Sequence, residues 1–216
     1  MSRNAKIVLW LSLSMVAALL YFQFVFNPTV EPVKAKQTFR HPDILKSSSG
    51  TVVGSAQAEL TLIIFTDYGC GACRILHQTL KEVEEEKQYV KTGKIKIVYK
   101  QVPNHPNAKE AAMAAFAADR QNTFEQMNDL LFQKQAEWSR ANPAIFQQYA
   151  STLGLDTNKF KKDFDSDEFV EELDQMQKEF ERIQFMATPI VIIGDQQINA
   201  APPKETIIRT IEEQLE

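Results

Sequence analysis

Only two cysteines occur in 216 residues, and they lie three positions apart, where the chain changes character. Before them, residues 60–66 (L-T-L-I-I-F-T) form an unbroken apolar, β-branched run, the pattern of a strand covered on both faces. After them Ile75, Leu76, Leu80 and Val83 recur at helical spacing, and charge gathers toward the end of the segment near Val90. Residues 94–102 (K-I-K-I-V-Y-K-Q-V) alternate as a strand does, and Pro103 stops them. Strand, helix and strand in that order form a βαβ unit, which requires parallel pairing and a right-handed crossover. The chain is therefore expected to build an α/β sheet, with Cys70 at the turn from a buried strand into a helix.

Downstream, the pattern is helical almost throughout, with segments near 108–120, 123–133, 143–153, 158–164 and 168–185. Such a block inside an α/β chain reads as an inserted helical region, at about 104–186. Strand character returns at 190–193, Gly194-Asp195 turns the chain, a short segment covers 197–199, and Pro202-Pro203 opens a last helix ending near 215.

The N-terminus reads as an address. Residues 7–26 are apolar except for Ser12, Ser14 and Gln23, and as a helix they would span the roughly 30 Å of hydrocarbon in a bilayer. Arg3 and Lys6 precede the run, and Asn27-Pro28 ends it. A cleaved signal peptide has a shorter apolar region, of about 7 to 15 residues, with a small-residue site close behind it. Residues 1–27 are thus expected to be an uncleaved signal-anchor rather than a cleaved leader, with a cleaved secreted form as the alternative. The domain behind it would then face out of the cytoplasm. Residues 28–50, with three prolines and a Ser47-Ser48-Ser49-Gly50 cluster, read as a linker, which leaves 51–216 for the globular domain.

Composition excludes several classes. A net charge of −4 without a clustered basic patch argues against nucleic-acid binding. There is no glycine-rich phosphate loop and no H-E-x-x-H pair, so no cofactor is expected. A lone pair of cysteines cannot form the long-range framework of a small secreted domain; it is a reactive or ligating pair, or else two unreactive core residues.

The run F-T-D-Y-G-C-G-A-C-R supplies the chemistry. A sulfur at residue 70 would meet the free backbone N–H groups at a helix start, which stabilise a thiolate. Cys73, one turn on, is placed to act as a resolving thiol that closes the disulfide and releases a partner. Asp67, Gly71 and Ala72 are candidate modulators of this pair, although Asp67 reads equally as an exposed turn residue.

The stretches L-I-I-F-T-D-Y-G-C-G-A-C, H-P-N-A-K-E-A-A from His105, F-E-Q-M-N-D-L-L-F from Phe124 and A-T-P-I-V-I-I-G-D from Ala187 are similar to the DsbA-like branch of the thioredoxin superfamily. The resemblance runs from about Val53 to Glu216 and implies a thioredoxin-like fold with an inserted α-helical domain, here preceded by a single N-terminal transmembrane helix. It also implies that Thr188-Pro189 carries a cis proline beside the CxxC and offers a substrate strand-like hydrogen bonds. Two departures stand out. Ile64 occupies the position of the buried acid found in many thioredoxins, and Gly71-Ala72 lacks the proline or histidine common between such cysteines.

The reading is a protein disulfide oxidoreductase, most simply a dithiol oxidase introducing disulfides into exported proteins through Cys70 and Cys73. It would act as a monomer, with a membrane redox partner that resets the pair. A reductase or isomerase of the same fold is the alternative in the same class. From another class comes a copper or zinc carrier using Cys70, Cys73 and His77, which fall at i, i+3 and i+7 on one helical face. His41 and His105 show no partner at informative spacing and are expected in loops. Trp138 is expected beside the substrate groove.

Overall fold

The structure is a computed structural model, and it describes residues 37–216 except Met186. The expected signal-anchor lies outside the described residues. Within them no helix is long and apolar enough to cross a membrane.

Six strands form one sheet: β1 (Gln37–Thr38), β2 (Thr51–Gly54), β3 (Leu60–Thr66), β4 (Ile95–Gln101), β5 (Ile190–Ile193) and β6 (Gln196–Ile198), in the spatial order β1-β6-β5-β3-β4-β2. β3 and β4 pair in parallel, with Leu60 opposite Ile95 and Thr66 opposite Gln101. β5 runs antiparallel to β3 on its other side, placing Phe65 opposite Ile190. The unbroken apolar runs therefore occupy the middle of the sheet, buried on both faces as their composition requires.

Helix α1 (Gly71–Lys87) makes the β3-to-β4 crossover. It packs Cys73, Leu76, Leu80 and Val83 into the core that holds Leu62 and Ile64 of β3. α8 (Lys204–Leu215) covers the same face with Ile207 and Ile211. The opposite face, with Ile63 and Phe65, is closed by Phe180 of α7 (Asp167–Arg182) and by Phe39 and Ile44. Between β4 and β5 lie α2 (Ala108–Asp119), α3 (Phe124–Gln133), α4 (Gln135–Trp138), α5 (Ile145–Thr152), α6 (Thr157–Phe164) and α7. This is the expected helical insertion. α2 is apolar all round, with Ala111 through Ala118 buried, so it forms the insertion's centre.

Residues 37–50 depart from the expected linker. They carry β1, one turn of 3-10 helix (Ile44–Lys46) and buried Phe39, Ile44 and Ser49. The prolines and serines hid two aromatic or branched anchors that close a sheet face, and that burial outweighs the local preference for irregular chain. β2 also went unread. It is four residues long and gains its order from antiparallel pairing of Thr51 through Gly54 with Tyr99 through Lys96.

Candidate active site

Cys70 is the N-cap residue of α1, with extended backbone (φ −80°, ψ 125°) and a part-exposed side chain. Cys73, one turn later, is buried against the sheet. The Cys70 Sγ lies 3.5 Å from the carbonyl oxygen of Thr188. The Thr188-Pro189 peptide bond is cis. Gly71 and Ala72 are exposed beside Cys70, and a Cβ on Gly71 would meet nothing within 4 Å. The chain thus brings Cys70, Cys73, Gly71, Ala72 and Thr188-Pro189 together at the end of β3.

The two sulfurs are electrostatically unequal. The Cys73 thiol, with the N–H groups of Cys73 and Ala72 and a hydrogen bond from Thr188, holds the Cys70 thiol down at about 5 against a partial opposing effect of burial. Cys73 is pushed well up, by the neighbouring Cys70 sulfur first and by burial second. A part-exposed thiol that favours its thiolate, beside a buried thiol that favours its proton, has the asymmetry disulfide exchange needs. The backbone N–H of Asp67 reaches the Cys73 Sγ at 3.5 Å.

Asp67 is not the exposed turn residue that sequence allowed, for it is fully buried. Its carboxylate accepts hydrogen bonds from the N–H of Gly69 (2.8 Å) and of Asn104 (2.7 Å), and pairs with Nδ1 of His105 (2.7 Å). His105 does lie in a loop, yet it has this partner 38 positions away, which no local spacing could reveal. The parallel register explains it. Thr66 sits beside Gln101, and the N–H of Val102 donates to the carbonyl of Thr66 at 2.8 Å, so the loops that follow the two strands run together.

A second brace comes from the insertion. Gln135 Nε2 donates to the carbonyls of Tyr68 (2.6 Å) and Cys70 (3.1 Å). Buried Tyr68 donates from its hydroxyl to Asn128 Oδ1 at 2.8 Å. Sequence reasoning missed both partners, since each is ordinary helix composition. Trp138 is fully buried with its indole N–H on the carbonyl of Leu131, 2.7 Å away, so it does not line a groove.

His77 does not join the thiols. Its Nε2 lies 2.8 Å from Asp129 and its ring stacks on Phe132 with centroids 4.7 Å apart. Among the described residues no group of three or more His, Cys, Asp or Glu side chains is arranged to hold a metal ion. The His77 ring is engaged by Asp129 and Phe132 of α3, not by the thiols.

An activated thiol at a helix start, backed by a buried second thiol on a thioredoxin-like sheet, is the site of a protein disulfide oxidoreductase. Comparison with known proteins agrees. A family model described as thioredoxin matches residues 46–213. Disulfide bond formation protein D of Bacillus subtilis is 24% identical over 174 residues, covering 76% of each chain. Further relatives are longer proteins, of which this chain spans about half or less. In fold it is similar to the thiol-disulfide exchange protein alpha-DsbA2 from Wolbachia pipientis (TM-score 0.68, 18% identity, 80% of this chain and 91% of that one). It is similar also to oxidised BdbD from Bacillus subtilis (TM-score 0.68, 19% identity, 86% and 99%). The chain belongs to this thioredoxin family.

Proposed function

We propose that the chain is an extracytoplasmic dithiol oxidase that introduces disulfides into exported proteins, tethered by residues 1–27. The observation that carries this reading is the part-exposed Cys70 at the start of α1 with Cys73 buried one turn behind it, an arrangement that favours the Cys70 thiolate and holds it at about 5. A thiolate favoured in the dithiol form makes reduction of the pair favourable, and that makes the disulfide form oxidising. In the forward reaction a substrate thiolate attacks the Cys70 sulfur. The Cys70–Cys73 bond breaks, Cys73 leaves as a thiolate and takes up a proton, and a Cys70–substrate disulfide forms. A second substrate thiolate then attacks the substrate sulfur and expels the Cys70 thiolate, a good leaving group because it is a weak base. The substrate loses two electrons and the enzyme gains them.

Thr188 and Pro189 would hold the substrate backbone beside the sulfur, with the exposed Gly71 and Ala72 setting how closely it approaches. A membrane partner more oxidising than the pair would accept the two electrons and reoxidise it. Equilibration of the full chain with glutathione buffers tests the reading: a potential near about −120 mV supports an oxidant, and one near about −270 mV would make the protein a reductant instead. Cys73→Ser should also trap mixed disulfides with exported proteins through Cys70.

A further inference from the structure

One ion pair beside the thiols, Asp67–His105, takes no part in the exchange reaction itself. His105 is half-exposed while its partner Asp67 is fully buried. Among the described residues, the Asp67 carboxylate takes its hydrogen bonds from Gly69, Asn104 and His105. A buried carboxylate with two neutral N–H donors still lacks a compensating charge, and the ring is the group able to supply it. His105 also packs directly on the residue preceding Cys70. A Cβ placed on Gly69 would overlap the His105 Cβ and come within 2.8 Å of its Cγ. The main chain of Asp67 touches both thiol positions, accepting from the Cys70 N–H at 3.0 Å and donating toward the Cys73 Sγ at 3.5 Å. The ring is thus fastened to a residue whose main chain reaches both cysteines.

We propose that His105, held as an imidazolium by Asp67, is a positioning residue of the redox site that fixes a positive charge beside the Cys70 thiolate and so sets the potential of the Cys70–Cys73 pair. The proposal rests on Cys70 being the activated nucleophile. Among the described residues, Asp67 and Cys70 are the ionisable groups that bear on this ring; both favour its charged form, the hydrogen bond to Asp67 most strongly. Coupling between two titrating groups is reciprocal, so a thiolate that favours the imidazolium is favoured by it to the same extent.

The magnitude follows from the thiol. A half-exposed opposite charge shifts a thiol by about one unit at most, a smaller effect than that of Cys73, which acts on Cys70 first. With Cys70 starting at about 5, a rise of about one unit weakens thiolate stabilisation near pH 7 roughly tenfold, about 30 mV for a two-electron couple.

The test compares the full-length chain with His105→Gln, which keeps a hydrogen-bond donor toward Asp67 and loses the charge. Thiolate absorbance against pH should move up by about one unit in the variant, and its glutathione equilibrium should shift about tenfold toward the disulfide form. A titration and equilibrium constant equal to those of the parent would overturn the proposal. A second measurement needs no variant: the NMR titration of His105 should lie at higher pH in the dithiol form than in the disulfide form. Coincident titrations would overturn it as well. If the parent Cys70 itself titrated like a free cysteine, the oxidase reading and this proposal would fall together. A low parent value with no response to His105 removes this proposal alone.

Discussion

Lys100 offers the sharpest test of how the fold is held. It lies on β4 with no exposed side-chain surface, and its Nζ sits 2.7 Å from Glu179 of α7, whose side chain is 9% exposed. The ammonium also donates to Ser49, at 2.6 Å to the hydroxyl and 2.8 Å to the carbonyl. Lys100→Met keeps most of the methylene volume but leaves the Glu179 carboxylate with only hydroxyl and amide donors, from Ser47, Ser49 and Gln175. Stranding one member of a buried pair costs about 3–5 kcal/mol, on the order of 10 °C in Tm for a domain of this size. Burial lowers the Lys100 pKa despite the attraction of Glu179, so desolvation outweighs pairing. The double variant Lys100→Met/Glu179→Leu should therefore recover at least half of the loss, with Ser47 and Ser49 free to bond each other, as they already do at 3.1 Å. Urea unfolding of the parent, both singles and the double forms a cycle that isolates the coupling. A single variant costing under about 1 kcal/mol, or a double equal to the sum of the singles, would refute the reasoning.

Two further outcomes follow from the site's surroundings. Gly69→Ala forces the added methyl onto His105, so it should cost about 1–3 kcal/mol and slow alkylation of Cys70; Gly71→Ala, which meets nothing within 4 Å, should stay within about 0.5 kcal/mol. Thermal melts of the pair check this, and equal effects would contradict it. His77→Ala removes the Asp129 contact and the stack on Phe132, so it should lower stability by about 2 kcal/mol. Its rate of oxidising a reduced peptide should stay within about twofold of the parent's at a temperature where both are folded.

Much of this architecture was legible because its central strands declare themselves. Residues 60–66 and 190–193 are runs of β-branched and aromatic side chains that fit only a doubly covered sheet, and they form strands with those limits. The CxxC was legible for the same reason, since it directly follows such a strand. What stayed hidden depends on tertiary proximity. β2 exists because Tyr99 and its neighbours offer an edge, and Phe39 and Ile44 are buried because α7 leaves part of one sheet face open. The Asp67–His105 pair joins residues brought together by the parallel register of β3 and β4. Lys100, on a strand whose alternation reads plainly, gave no sign that α7 and residues 47–49 would enclose it.

The chemistry of the site turns on the inequality of two sulfurs. Cys70 has a depressed folded-state pKa, so its thiolate is present through neutral pH and is lost as pH falls through about 5. Ultraviolet thiolate absorbance of the reduced chain, followed from acid to mildly alkaline pH, should rise in one step near about 5, with the second thiol still protonated at the alkaline end. A first step appearing only at about 8.5, where free cysteine titrates, would contradict it.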